Sequence, residues 1–153
     1  MKKLMVCLGF VFTAVLLFVQ VGFTHCQVPC GIYGDEMRFE MFNEDIATIE
    51  KATNEILKLS EQADKNYNQI VRWVNTKEDH ADKIIKSASE YFLAQRIALP
   101  ENVVKKEKVH CQKISLLHQI IVYAMKTKQT TDISNIEKLK ILVSDFKKLY
   151  FQK

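Results

Sequence analysis

From Phe39 to the C-terminus, apolar residues return three and four positions apart almost without a break. No other feature constrains the fold as much. Phe39, Phe42, Ile46, Ile49, Thr53, Ile56, Leu59 and Ala63 trace one stripe, the pattern of a helix turned toward a bundle core. Polar Asp64-Lys65-Asn66 interrupts it. Ile70, Trp73, Val74, Lys77, Ala81, Ile84, Ile85, Ala88, Tyr91 and Phe92 form a second stripe that ends before Pro100. A third runs from about Val104 to Met125 through Ile114, Leu117, Ile121 and Val122. After the polar stretch KTKQTTD, Ser134-x-x-Glu137 reads as a capping box, and Ile136, Leu139, Val143, Phe146 and Tyr150 complete the fourth stripe. Only four glycines and two prolines occur in 153 residues, and both prolines lie outside the periodic segments, so turns are few. The expectation is an all-α, antiparallel up-and-down four-helix bundle over residues 39–151, with helices of about 20 to 28 residues.

On these stripes the large side chains read as core. Trp73 is expected to pack, Cys111 to behave as a small hydrophobe, and His110 and His118 to be structural or solvated. The formal net charge is +4, and lysines alternate with acids without forming a basic stripe, which gives nucleic-acid binding no support.

The first two dozen residues follow another logic. Lys2-Lys3 is a short positive segment, and Leu4 to Val21 carries no charge. With Gly22-Phe23-Thr24 behind it, this is the pattern of a secretory signal peptide over residues 1–24; an uncleaved membrane anchor is the alternative. Acylation of Cys26 is disfavoured because bulky His25 precedes it. Cleavage would leave residues 25–153 outside the cytoplasm, periplasmic or secreted, and would require a processing peptidase. It would also remove Cys7 and the two charges of Lys2 and Lys3.

Directly after that border comes His25-Cys26-Gln27-Val28-Pro29-Cys30-Gly31-Ile32-Tyr33. If His25 is the new N-terminus, these residues bring together a free α-amine, an imidazole, the Cys26 amide nitrogen and the thiols of Cys26 and Cys30. Two nitrogens and two sulfurs on consecutive atoms close small chelate rings in one plane. That geometry suits nickel(II) or copper(II), not tetrahedral zinc. Pro29 stiffens the loop between the thiols and Gly31 permits a sharp exit. The same residues leave two other readings open. One is a Cys26–Cys30 disulfide with Cys111 free; the other is a nickel or copper carrier without turnover.

In His25, Cys26, Pro29, Cys30, Gly31 and Tyr33 the stretch resembles the N-terminal hook of the nickel superoxide dismutase family, His-Cys-x-x-Pro-Cys-Gly-x-Tyr. The likeness continues more weakly through Arg38-Phe39-Glu40, Thr76 to Ile84 and Glu90 to Arg96. It implies a hook over residues 25–33 in front of a helical bundle, and assembly into a homohexamer. It further implies an oxidoreductase that converts superoxide to oxygen and hydrogen peroxide, with nickel cycling between the 2+ and 3+ states. Carried over by residue, it makes His25, Cys26 and Cys30 the metal ligands and puts Tyr33 at the substrate entrance. Glu40 would hold the His25 imidazole, although one residue is missing between Tyr33 and Glu40 relative to the family spacing. His80 stands where many members have an arginine, and Tyr91 matches a second tyrosine near the site. Gln27 and Gly34 replace positions that are often acidic.

Overall fold

The computed structural model describes residues 34–99 and 104–152. They form four helices: α1 (Asp35–Ser60), α2 (Tyr67–Lys86), α3 (Val104–Gln129) and α4 (Ile133–Phe151). A π-helical segment, Ser87–Arg96, continues α2. Each helix packs on the next in sequence, and α4 returns against α1 to close the ring. Cross-links fix the antiparallel sense. The first residue of α1, Asp35, meets Tyr150 near the end of α4, whereas Glu50 meets Lys140 further back. This is the expected four-helix bundle. No helix among the described residues is long and apolar enough to cross a membrane.

The core follows the stripes closely on three helices. Phe39, Phe42, Ile46, Ile49, Thr53 and Ile56 are all buried on α1, as are Ile136, Leu139, Val143 and Phe146 on α4. Ala63 falls outside, because α1 ends at Ser60. The third stripe lies in a shifted register: Leu117, Ile120, Ala124 and Thr127 face inward, and Ile114 is exposed. The run Ile120-Ile121-Val122-Tyr123 is apolar on every face, so its pattern carries no unique phase. At one end of the core, Phe92 touches the rings of Phe39, Phe42, Tyr91, Phe146 and Tyr150, with centroids 5.0–5.7 Å apart. Such edge-to-face and tilted contacts add to simple area burial.

The helix starts correct one expectation. Asp132 caps α4, its carboxylate accepting from the Ser134 N–H at 2.9 Å, while Glu137 pairs with Lys140. Asp132 reaches an orphan N–H one residue before the helix begins, so Ser134 is already inside the first turn. Asn66 caps α2 in the same way through the Gln69 N–H. Cys111 is also not a core residue: it is exposed, with a free thiol. Trp73 is half-buried under the ammonium of Lys51.

Lys77 is the buried cation of the second stripe, 3% exposed. Its ammonium donates to the carbonyls of Lys128 and Thr130 at 3.0 Å each, where α3 ends. A positive charge there satisfies orphan carbonyls and opposes the negative end of the helix dipole. Burial pushes its pKa below the ordinary lysine value.

The second stripe runs through the π segment without a sign of it in the apolar spacing. At its start the Ser89 hydroxyl donates to the carbonyls of Ile85 and Lys86, competing with the main-chain ladder, and the Ser87 Oγ is buried without a partner among the described residues. At its end the Ile97 N–H reaches back five residues to the Phe92 carbonyl.

Candidate metal centre

Asp35 opens α1, and Gly34 precedes it with φ 77° and ψ 153°. That backbone region is open essentially to glycine alone, and nothing lies within 4 Å of where a Cβ would stand.

The Asp35 carboxylate gathers three donors from two other helices. One oxygen accepts from the Tyr91 hydroxyl at 2.5 Å; the other accepts from the Arg96 guanidinium at 2.6 Å and the Tyr150 hydroxyl at 2.8 Å. Tyr91 and Arg96 are five residues apart. On an α-helix they would diverge by about 140° around the axis. The wider π turn brings position five back to nearly the same side, so both reach one carboxylate. Arg38 completes the group, its guanidinium 4.4 Å from the Tyr91 ring centroid, with Arg96 at 5.8 Å.

Charge follows from these contacts. Burial works to raise the Asp35 carboxyl, but the hydrogen bonds from Arg96, Tyr91 and Tyr150, with the Arg96 charge, hold it below the usual carboxylate value. Burial first, then the hydrogen bond to Asp35, raises the Tyr91 phenol and pushes the Tyr150 phenol up to about 12. Both phenols therefore stay protonated at neutral pH, with their protons directed at Asp35.

The other two residues that the resemblance assigns to the site, Glu40 and His80, have separate partners. Glu40 is exposed on α1 and pairs with Lys147 at 2.9 Å, which lowers its pKa. His80 lies against Asp45, Nδ1 to Oδ1 at 2.7 Å, with the Lys83 ammonium 3.3 Å from Nε2. An ammonium only donates, so the two bonds together specify the tautomer with its proton on Nδ1. Burial raises the Asp45 carboxyl above its ordinary value, against the opposing pull of His80 and Lys83. Glu40, His80 and Tyr91 thus do not share a hydrogen-bonding partner in the bundle. Of the residues that complete these contacts, Asp35 and Asp45 carry no motif, Arg96 closes the family-like segment from Glu90, and Tyr150 reads only as a core position of the fourth stripe.

His25, Cys26, Cys30 and Tyr33 lie outside the described residues, as do residues 1–24. Among the described residues no group of three or more His, Cys, Asp or Glu side chains could hold a metal ion. If His25 is the N-terminus, the residues of the hook would fit nickel by chemistry: they would offer thiolate sulfurs beside amine, amide and imidazole nitrogens, a soft and intermediate donor set. No curated protein and no solved structure matches the chain. A family model does, that of nickel-containing superoxide dismutase, and the match covers residues 20–153, from before the hook to the end of the bundle. The chain belongs to the nickel-containing superoxide dismutase family, an oxidoreductase family with nickel as cofactor and superoxide as substrate.

Proposed function

We propose that this protein disproportionates superoxide at a single nickel ion held by its own processed N-terminus. In the overall reaction two superoxide ions and two protons give one oxygen and one hydrogen peroxide. The observation that carries the reading is the ordered set His25, Cys26, Pro29, Cys30, Gly31 and Tyr33 inside the matched family region. His25 would supply its α-amine and imidazole, Cys26 its amide nitrogen and thiolate, and Cys30 its thiolate. Nickel bound there supplies a one-electron redox couple, which anionic sulfur and amide donors make accessible.

The remaining roles belong to the chain. Tyr33 would guard the entrance and order water. Glu40 would orient the His25 imidazole: a carboxylate accepts up to about four hydrogen bonds, so Lys147 and Asn43 leave capacity for a ring N–H. Tyr91 donates its O–H to Asp35 and so offers water an acceptor. His80, committed to Asp45 and Lys83, would act on the site only by supporting α1 and α2. Removal of residues 1–24 by a peptidase, an extracytoplasmic location and hexameric assembly are parts of the same proposal.

Three proteins are compared to test it: the mature wild type, Cys30→Ser and His25→Gln. The wild type should bind nickel and accelerate superoxide decay. Cys30→Ser should lose the metal. His25→Gln should keep the metal while turnover falls about 10- to 100-fold. Nickel without turnover in the wild type would make the protein a carrier. No nickel, with Cys111 the one thiol open to titration, would make Cys26–Cys30 a disulfide.

A further inference from the structure

The reading above uses Tyr91 but leaves unexplained why an aspartate in the first turn of α1 takes three donors at once. Two of these, Tyr91 and Arg96, come from the π segment, and Tyr150 comes from the end of α4. The Asp35 side chain is 13% exposed. An aspartate used only to favour the helix start would need none of these partners, because the dipole effect works with the carboxylate in water. The chain reaches Asp35 two residues after Tyr33, through a glycine whose backbone no other residue adopts easily. Whatever fixes Asp35 also fixes the point from which the hook departs.

We propose that Asp35 is a positioning residue for the dismutase reaction. It accepts hydrogen bonds from the hydroxyls of Tyr91 and Tyr150 and from the Arg96 guanidinium, and thereby fixes Tyr91 as a hydrogen-bond acceptor toward its other neighbours and anchors the first turn of α1. A phenol whose O–H is already donated in a hydrogen bond to a carboxylate presents only lone pairs to its other neighbours. Tyr91 then aligns water by accepting from it, and the protons that complete peroxide come from solvent and not from Tyr91. The groups facing the pair from every helix are Asp35 and Arg38 on α1, Arg96 beside Tyr91, Lys113 of α3 over the Tyr150 ring, and Tyr150 itself. Asp35 is the carboxylate that accepts from both phenols among the described residues, so its removal should lower both phenol pKa values.

The inference rests on the proposed dismutase reading, and the experiment separates the two. Nickel content, superoxide turnover against pH and alkaline titration of tyrosine absorbance are measured on the mature holoprotein, on Asp35→Asn and on Asp35→Glu. The wild type should show two late-titrating phenols. Asp35→Asn should keep its nickel, bring those phenols toward the ordinary range and lose about tenfold in turnover, the scale of a misplaced positioning contact. Asp35→Glu should recover part of both effects. A folded, nickel-loaded Asp35→Asn with wild-type turnover overturns the inference and leaves the dismutase reading intact. A wild type without nickel or turnover overturns the dismutase reading, and with it the catalytic part of the inference. If Asp35→Asn does not fold, wild type and Tyr91→Phe decide: Tyr91→Phe should remove one late phenol and reduce turnover. Loss of neither overturns the inference.

Discussion

Asp35 and Asp45 stand on the same helix with side chains 13% and 11% exposed, yet their carboxyls are driven in opposite directions. Asp35 is held low because a permanently charged guanidinium and two phenols outweigh the cost of its burial. Asp45 is pushed up because burial outweighs one imidazole and the more distant charge of Lys83, with Glu44 adding repulsion. Similar side-chain exposure therefore does not mean an equal role: Asp45 is the more buried residue and its desolvation wins, whereas at Asp35 the number and charge of the donors win. The Asp35 cluster is a satisfied anion joining three elements at the end of the bundle near the hook in sequence. The Asp45–His80 contact is a single hydrogen bond across two helices.

The largest test of this contrast is truncation. Asp35→Ala leaves the partly buried Arg96 without its anion and two phenols without an acceptor, and should lower unfolding stability by about 3 kcal/mol. Asp45→Asn keeps an acceptor for the His80 Nδ1–H and removes a charge held at a cost, so stability should stay within about 1 kcal/mol of wild type. Urea titration of both variants measures the difference. Equal losses would break the comparison.

Next in size is the backbone ahead of Asp35. Gly34→Ala places a side chain in a glycine-only region and should cost about 2 kcal/mol by the same titration, although no neighbour obstructs it.

Acid then separates the two carboxyls by sign. Because the folded pKa of Asp35 lies below its unfolded value, its contribution is present above the unfolded pKa and is lost as pH falls through the folded one. For Asp45 the folded pKa is raised, so its contribution is full below the unfolded pKa and is lost as pH rises through the folded one. Stability measured from about pH 7 to about pH 3 should therefore fall less in Asp35→Asn than in wild type. Asp45→Asn should lose the opposing gain just above the ordinary carboxylate range. The smallest effect should come from the exposed Glu40–Lys147 pair: Glu40→Gln leaves the thermal midpoint unchanged, and a fall in turnover without a fall in stability would mark Glu40 as the partner of His25.

The bundle was legible in the sequence because burial imposes a period, and that period survives on α1, α2 and α4. It failed on α3, where Ile120 to Tyr123 is apolar all round. The sequence offers Ser134 as readily as Asp132 for the cap of α4, because both side chains can satisfy an orphan N–H and only main-chain geometry tells which does. The π turn after Lys86 has no comparable signature, so the convergence of Tyr91 and Arg96 on Asp35 could not be read ahead of the structure. The hook shows the reverse. The chemistry proposed for it rests on adjacent residue types and a proposed chain terminus, and needs no tertiary contact to be read.

The central claim is that processing exposes His25 and so creates the nickel site. Intact-mass and metal analysis of the mature protein test it together. The account predicts a chain beginning at His25 with about one nickel per chain. A nickel-loaded, active chain that begins upstream of His25 would contradict it, because its amine could not be a ligand.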